Sequence, residues 1–247
     1  MLQMDPMRPL DPALPITPQL TQRLRDRIIR NHLKPGDRIS ETEIAKVYDV
    51  SRQPVREAFI KLADQGLLLI RPQRRTVVSR IAYQDVLDAR FLREAIEADI
   101  VRLLAKTRDD ALIGTLRAQI ELQKRVHADD LETFTQLDEQ FHRMLADAVG
   151  KAGTWSFVEG VKAQMDRVRF LSLFDYPMAL LIEQHTQIVD AVEARDLDRA
   201  EENARQHLRL MLDYLPGVIA ANPSFFDLPE GGLAPSVNTP TLGGEYT

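Results

Sequence analysis

From Tyr83 to Leu215 apolar residues return every three or four positions, interrupted only by short polar breaks. A chain with that period buries one face of each helix against another and has little alternative to a helical bundle. Breaks at Thr107-Arg108, Ala128-Asp129, Gly150 to Gly153, Asp175-Tyr176-Pro177 and Arg195-Asp196 predict helices near 84–105, 109–127, 130–149, 154–174, 178–194 and 197–215. Six helices on short loops are expected to pack as an antiparallel bundle over residues 83–215.

Residues 17–80 carry a different pattern. Thr17 is a candidate N-cap with Pro18 at the first helical position, and Leu20, Leu24, Ile28 and Ile29 keep helical spacing up to His32. Pro35-Gly36 ends that helix, Glu41 to Tyr48 predicts a second, and Ser51 to Gln65 a third with Ser51 at its N-cap. Gly66 stands just past the third helix, where glycine turns left-handed with little strain. Leu67 to Ile70 and Thr76 to Val78 predict two strands around Arg71-Pro72-Gln73-Arg74-Arg75, which is a wing. The expected fold is therefore mostly α, an N-terminal winged helix-turn-helix followed by the bundle. Residues 1–16 hold four prolines and predict a disordered leader; 222–247, rich in Pro, Gly, Ser, Asn and Thr, predict a flexible tail.

Charge separates the two parts. Residues 1–80 carry 15 Lys and Arg against 9 Asp and Glu, whereas the remainder carries 17 against 28. A basic head on an acidic body is what one phosphate-binding domain and one indifferent domain produce, although chance clustering gives the same balance. No cysteine is present, which excludes disulfides and thiolate metal sites and is compatible with the cytoplasm. No apolar run approaches the roughly 18 residues a membrane span needs, so no membrane partner is expected.

Ser51, Arg52, Gln53 and Arg56 occupy the first turn and a half of the third helix, the end that enters a major groove. Arginine can take the O6/N7 edge of guanine in two bonds, glutamine can do the same with adenine, and Ser51 suits a phosphate. Arg71, Arg74 and Arg75 on the wing would reach backbone or minor groove. Any one of these arginines alone also fits a solvated surface charge, and the whole head also fits a winged helix that binds protein.

The body holds polar groups where a core should be. Asp138 and His142, four apart, lie on or beside the stripe of Leu131, Phe134, Phe141, Leu145 and Val149. His185 sits within the stripe of Leu181, Ile182, Ile188, Val189 and Val192, and His207 between Ala200, Ala204, Met211 and Leu215. Each alone could be a hydrogen-bonded core residue, since burying such a group unpaired costs several kcal/mol. Together, three histidines and an aspartate supply the N/O donors of a divalent metal site. The same set could serve a metalloenzyme, yet no general base or oxyanion donor stands at a recognisable spacing beside it, and the head would be unexplained. A metal that only braces the bundle is the third reading.

Two stretches resemble known families. Leu33-Lys34-Pro35-Gly36-Asp37-Arg38-Ile39-Ser40-Glu41, with Val50-Ser51-Arg52-Gln53-Pro54-Val55-Arg56-Glu57-Ala58-Phe59, Leu62 and Gly66-Leu67, resembles the head of the GntR family of bacterial transcription regulators. That resemblance implies operator contacts from Ser51, Arg52, Gln53 and Arg56. Thr42 stands where relatives often have arginine, and Arg75 near where many have a wing-tip glycine. Asp138-Glu139-Gln140-Phe141-His142, Glu183-Gln184-His185 before Ile188-Val189-Asp190-Ala191-Val192, and Ala204-Arg205-Gln206-His207-Leu208 resemble the FCD effector domain of the FadR-type subfamily. The resemblance implies Zn²⁺, Ni²⁺ or Mn²⁺ at Asp138, His142, His185 and His207, and a small carboxylate effector, such as a sugar acid or hydroxy acid, touching it.

A carboxylate effector calls for an arginine. Arg93, within the run of Val86, Ala89, Ile96, Ile100 and Leu103 that recurs at three and four residues around it, is the first candidate, and Arg93-Glu94-Ala95-Ile96-Glu97 resembles the family's Arg-x-x-x-Glu. A buried Arg93–Glu97 pair is the alternative. Arg169, bordering Val158, Val161, Met165 and Val168, is the second candidate. The expected protein is a homodimeric regulator, most simply a repressor, because two heads meet a two-fold operator.

Overall fold

The computed structural model describes residues 10–70, 75–107, 109–172 and 178–230 and divides into two compact units, Met1–Ile81 and Ala82–Thr247.

In the first unit, α1 (Ile16–Ile29), α2 (Glu41–Tyr48) and α3 (Arg52–Asp64) close around Leu20, Leu24, Ile28, Ile44, Val55, Ala58, Phe59 and Leu62, all buried. The corner between α2 and α3 is made by Asp49 at φ 52°, a left-handed conformation that a short polar side chain tolerates. Val50 N–H then donates to Ala45 C=O at 3.0 Å, which fixes the direction in which α3 starts. Strands β1 (Arg38–Ile39), β2 (Leu68–Leu69) and β3 (Thr76–Val78) form an antiparallel sheet in the order β1-β3-β2, with Arg38 opposite Val77 and Leu68 opposite Val78. The strand β1 was not expected; two residues give no alternation to detect.

Helix α1 begins two residues earlier than the capping argument places it: Pro15 stands at the N-cap and Thr17 is inside. The end of the expected leader is ordered as well. Gln19 Oε1 accepts from Asp11 N–H at 2.8 Å, and Gln19 Nε2 donates to Asp11 C=O at 2.9 Å.

The second unit contains eight α-helices among its described residues where six were expected. They are α4 (Tyr83–Thr107), α5 (Asp110–Lys124), α6 (Leu131–Ala148), α7 (Ala152–Val161), α8 (Ala163–Leu171), α9 (Met178–Glu193), α10 (Leu197–Arg209) and α11 (Met211–Ala221). Asp109, Asp130 and Asp196 each cap a helix through the side chain, accepting from Ala111, Thr133 and Arg199 N–H at 2.9–3.0 Å. The long α4 packs chiefly on α10 and also on α6 and α9, while α5 lies on α6 and α9. Trp155, Phe141, Leu145, Leu116, Ile188 and Val192 belong to the core between them.

The two extra helices come from breaks that periodicity hides. The expected helix 154–174 turns at Lys162, buried with its Nζ 2.7–2.8 Å from both oxygens of Asp166. The expected helix 197–215 breaks at Leu210 and then runs through Pro216 to Ala221. A proline there removes one hydrogen bond; burial of Leu215, Val218 and Ile219 on the same helix compensates. The expected tail starts too early, since Phe226 is buried.

Candidate metal centre and nucleic-acid interface

Helix α3 presents Ser51, Arg52, Gln53 and Arg56 to solvent at its N-terminal end. Two of them are held by carboxylates of the head. Arg52 Nη2 lies 3.0 Å from Glu41 Oε2, and Gln53 Nε2 donates to Glu57 Oε1 at 3.0 Å. Glu57 also accepts from Thr17 Oγ1, and these two donors hold its carboxyl below its ordinary value. Arg75 is exposed beside β3; Arg71 and Arg74 lie outside the described residues.

In the body, four side chains from three helices converge. Asp138 and His142 come from α6, His185 from α9 and His207 from α10, each at most 6% exposed. His207 Nε2 lies 3.2 Å from His142 Nε2 and 3.3 Å from His185 Nε2. Asp138 Oδ1 lies 3.5 Å from His185 Nε2 and 3.9 Å from His142 Nε2. One donor atom from each residue thus falls within 4.8 Å of the others.

The outer nitrogens of two rings meet acceptors: His185 Nδ1 meets Gln123 Oε1 at 2.8 Å and His207 Nδ1 meets Gln184 Oε1 at 3.1 Å. His142 Nδ1 lies 2.6 Å from Glu97 Oε2 without hydrogen-bond geometry. Acceptors outside draw the ring protons outward and leave the Nε2 lone pairs inside. Burial lowers the pKa of His185 to about 3 and that of His207 well below its ordinary value, so both rings are neutral, as metal ligands must be. Asp138 is ionised: burial opposes this, but the charge of Arg169, whose Nη1 lies 2.8 Å from Oδ2, outweighs it. Oδ1 is left buried with no hydrogen-bond partner. An orphaned carboxylate oxygen among inward-facing lone pairs is unfavourable unless a cation sits between them, so these residues fit a divalent metal ion.

Arg93 is buried with its Nε 2.6 Å from Glu97 Oε1 and its guanidinium carbon 5.9 Å from the centroid of the Trp155 ring. The ion-pair alternative is therefore present. Glu97 spans Arg93 and His142; burial opposes its charge, but these two partners hold its pKa at about 2. The terminal nitrogens of Arg93 make no hydrogen bond among the described residues. Glu97, Gln123 and Gln184 were missed as site residues, although Gln119 and Gln123 interrupt an apolar stripe of Ile113, Leu116 and Ile120 and could have been flagged.

Residues 17–78 match the bacterial regulatory proteins of the gntR family, and residues 88–210 match the FCD domain. The HTH-type transcriptional repressor RspR of Escherichia coli K12 is 36% identical over 220 residues, covering 88% of this chain and 96% of its own. The chain belongs to the GntR family. It is a transcription regulator with an FCD domain, and the metalloenzyme reading finds no support. A probable D-xylose utilization operon transcriptional repressor of Paenarthrobacter nicotinovorans is 31% identical, covering 79% of this chain and 85% of its own. Among solved structures, E. coli McbR/YncC has the same fold, with a TM-score of 0.69 at 20% identity over 83% of this chain and 98% of that one. Among the described residues no helix is long and apolar enough to cross a membrane.

Proposed function

We propose that this GntR regulator is a cytoplasmic, homodimeric repressor whose grip on its operator is set by a small carboxylate bound at a metal centre in the FCD domain. The observation that carries the reading is the orphaned Asp138 Oδ1 beside three inward Nε2 atoms. Asp138, His142, His185 and His207 would hold Zn²⁺, Ni²⁺ or Mn²⁺. When bound, the ion supplies a Lewis-acid site for a carboxylate or hydroxyl oxygen of the effector.

The chain's own residues do the rest. Arg93 offers its terminal nitrogens to the effector carboxylate while Nε stays on Glu97. Arg169, anchored on Asp138, is the second cation at the site and the lesser candidate for the effector. Ser51, Arg52, Gln53 and Arg56 read the operator, with Arg71, Arg74 and Arg75 on its backbone or minor groove. Regulation requires the effector to bind the DNA-competent and DNA-incompetent states with different affinity, and a coupling of about 1–3 kcal/mol suffices.

The test is a gel shift on the DNA upstream of the gene, with metal-loaded protein, at two salt concentrations and with a panel of sugar acids and hydroxy acids. Steep loss of affinity with salt and release by one acid are expected. Binding insensitive to every acid, with or without Zn²⁺, would remove the effector reading.

A further inference from the structure

Of the three histidines in the cluster, His185 is the one whose proton is fixed by a chain of atoms that can be followed to its end. Its Nδ1 meets Gln123 Oε1 at 2.8 Å. A glutamine amide can be turned either way, and by itself this contact would not say which atom donates. The far side of Gln123 decides it. Gln123 Nε2 lies 3.4 Å from the backbone carbonyl of Leu137, which can only accept. The amide nitrogen must therefore face Leu137, the amide oxygen must face His185, and the proton must sit on His185 Nδ1. His185 Nε2 is left as a lone pair aimed at Asp138 and His207.

Position adds to this. Gln123 lies in the last turn of α5, which packs on both α6 and α9, and it is 1% exposed. Leu137 immediately precedes Asp138 on α6, so one side chain ties the backbone beside one candidate ligand to the ring of another. Gln119 donates to the same Leu137 carbonyl at 2.9 Å but touches no histidine. It shares the structural part of the arrangement without the electronic part.

We infer that Gln123 is a positioning residue of the metal centre, which holds His185 in the Nδ1–H form and aims its Nε2 at the cation. The inference rests on the metal reading above. Partners of this kind are worth roughly 10–100-fold in metal affinity.

The experiment uses the full-length chain and Zn²⁺ in competition with a chromophoric chelator, for the wild type, Gln123→Leu and Gln119→Leu. Gln123→Leu is expected to weaken Zn²⁺ by roughly 10–100-fold, and Gln119→Leu to leave it nearly unchanged. A second measurement needs no variant. Long-range ¹⁵N spectra of the Zn²⁺-loaded wild type should show the His185 ring proton on Nδ1. Equal weakening by both variants, or an unweakened Gln123→Leu, overturns the role of Gln123 alone, whereas a His185 proton on Nε2 of the Zn²⁺-loaded chain also removes that ring from the metal's ligands. A wild type that takes up no Zn²⁺ overturns the metal centre and this role with it.

Discussion

His185 Nε2 and His207 Nε2 face each other at 3.3 Å in a buried space, with neither ring able to carry a charge there at neutral pH. Two lone pairs so placed repel unless a proton or a cation lies between them. His207, which contacts both other rings through the same atom, is the centre of the arrangement. Replacing it with alanine removes a ligand outright, and the loss of divalent-metal affinity should exceed the roughly 100-fold upper figure for an outer partner. Metal content of the purified variant and chelator competition check this; a His207→Ala protein that retains stoichiometric metal contradicts it.

The metal-free chain should lose stability in acid from well above the carboxylate range. His185 has a folded pKa of about 3 against an unfolded value near 6.5, so below 6.5 the unfolded state binds the extra proton. Its contribution is fully present above pH 6.5 and falls by about 1.4 kcal/mol per pH unit down to the folded value. Glu97, held at about 2, adds a second loss only below pH 4.5. Urea midpoints of chelator-treated protein from pH 7.5 to 4.5 should decline steadily, and a flat profile would contradict the burial of these rings.

Arg93→Ala should be costly for two separable reasons. Glu97 would be left as a buried carboxylate with His142 alone, and breaking a buried pair from one side costs about 3–5 kcal/mol. Effector affinity should also fall. The two are distinguished by measuring both denaturant midpoint and acid binding with the metal retained; unchanged acid binding would end the role of Arg93 in capture.

On the head, Arg52→Ala should cost about 1–3 kcal/mol for the native operator and relax preference at one base pair. Glu41→Gln should release Arg52 from its 3.0 Å contact and raise affinity for non-specific DNA. Competition against scrambled DNA separates the two effects. Arg75→Ala should weaken every sequence alike and lower the salt slope by about one.

How much of this was legible in the chain depends on what each feature leaves in the pattern. Helices and the stripe histidines were legible because a 3.6-residue period records which face is buried. The breaks at Lys162 and Leu210 were not, because each costs the pattern one residue and the apolar positions resume in phase. Asp138 and the histidines were readable as misfits in apolar stripes. Gln123 and Gln184 were not read as partners, since which helices are neighbours is a property of tertiary packing. The carboxylate on Arg52 escaped for the same reason: Glu41 is 11 residues from Arg52 and on another helix; Glu57, four residues from Gln53 on α3, was legible from helical spacing and was not read.

Arg169 holds one oxygen of Asp138 and thereby limits what the aspartate can give. Asp138 can offer a cation a single oxygen, and the quartet as a whole supplies four donor atoms. A metal content with four would be sealed by protein alone. One that prefers six would leave room for two further donor atoms, and an α-hydroxy acid has the two oxygens to supply them.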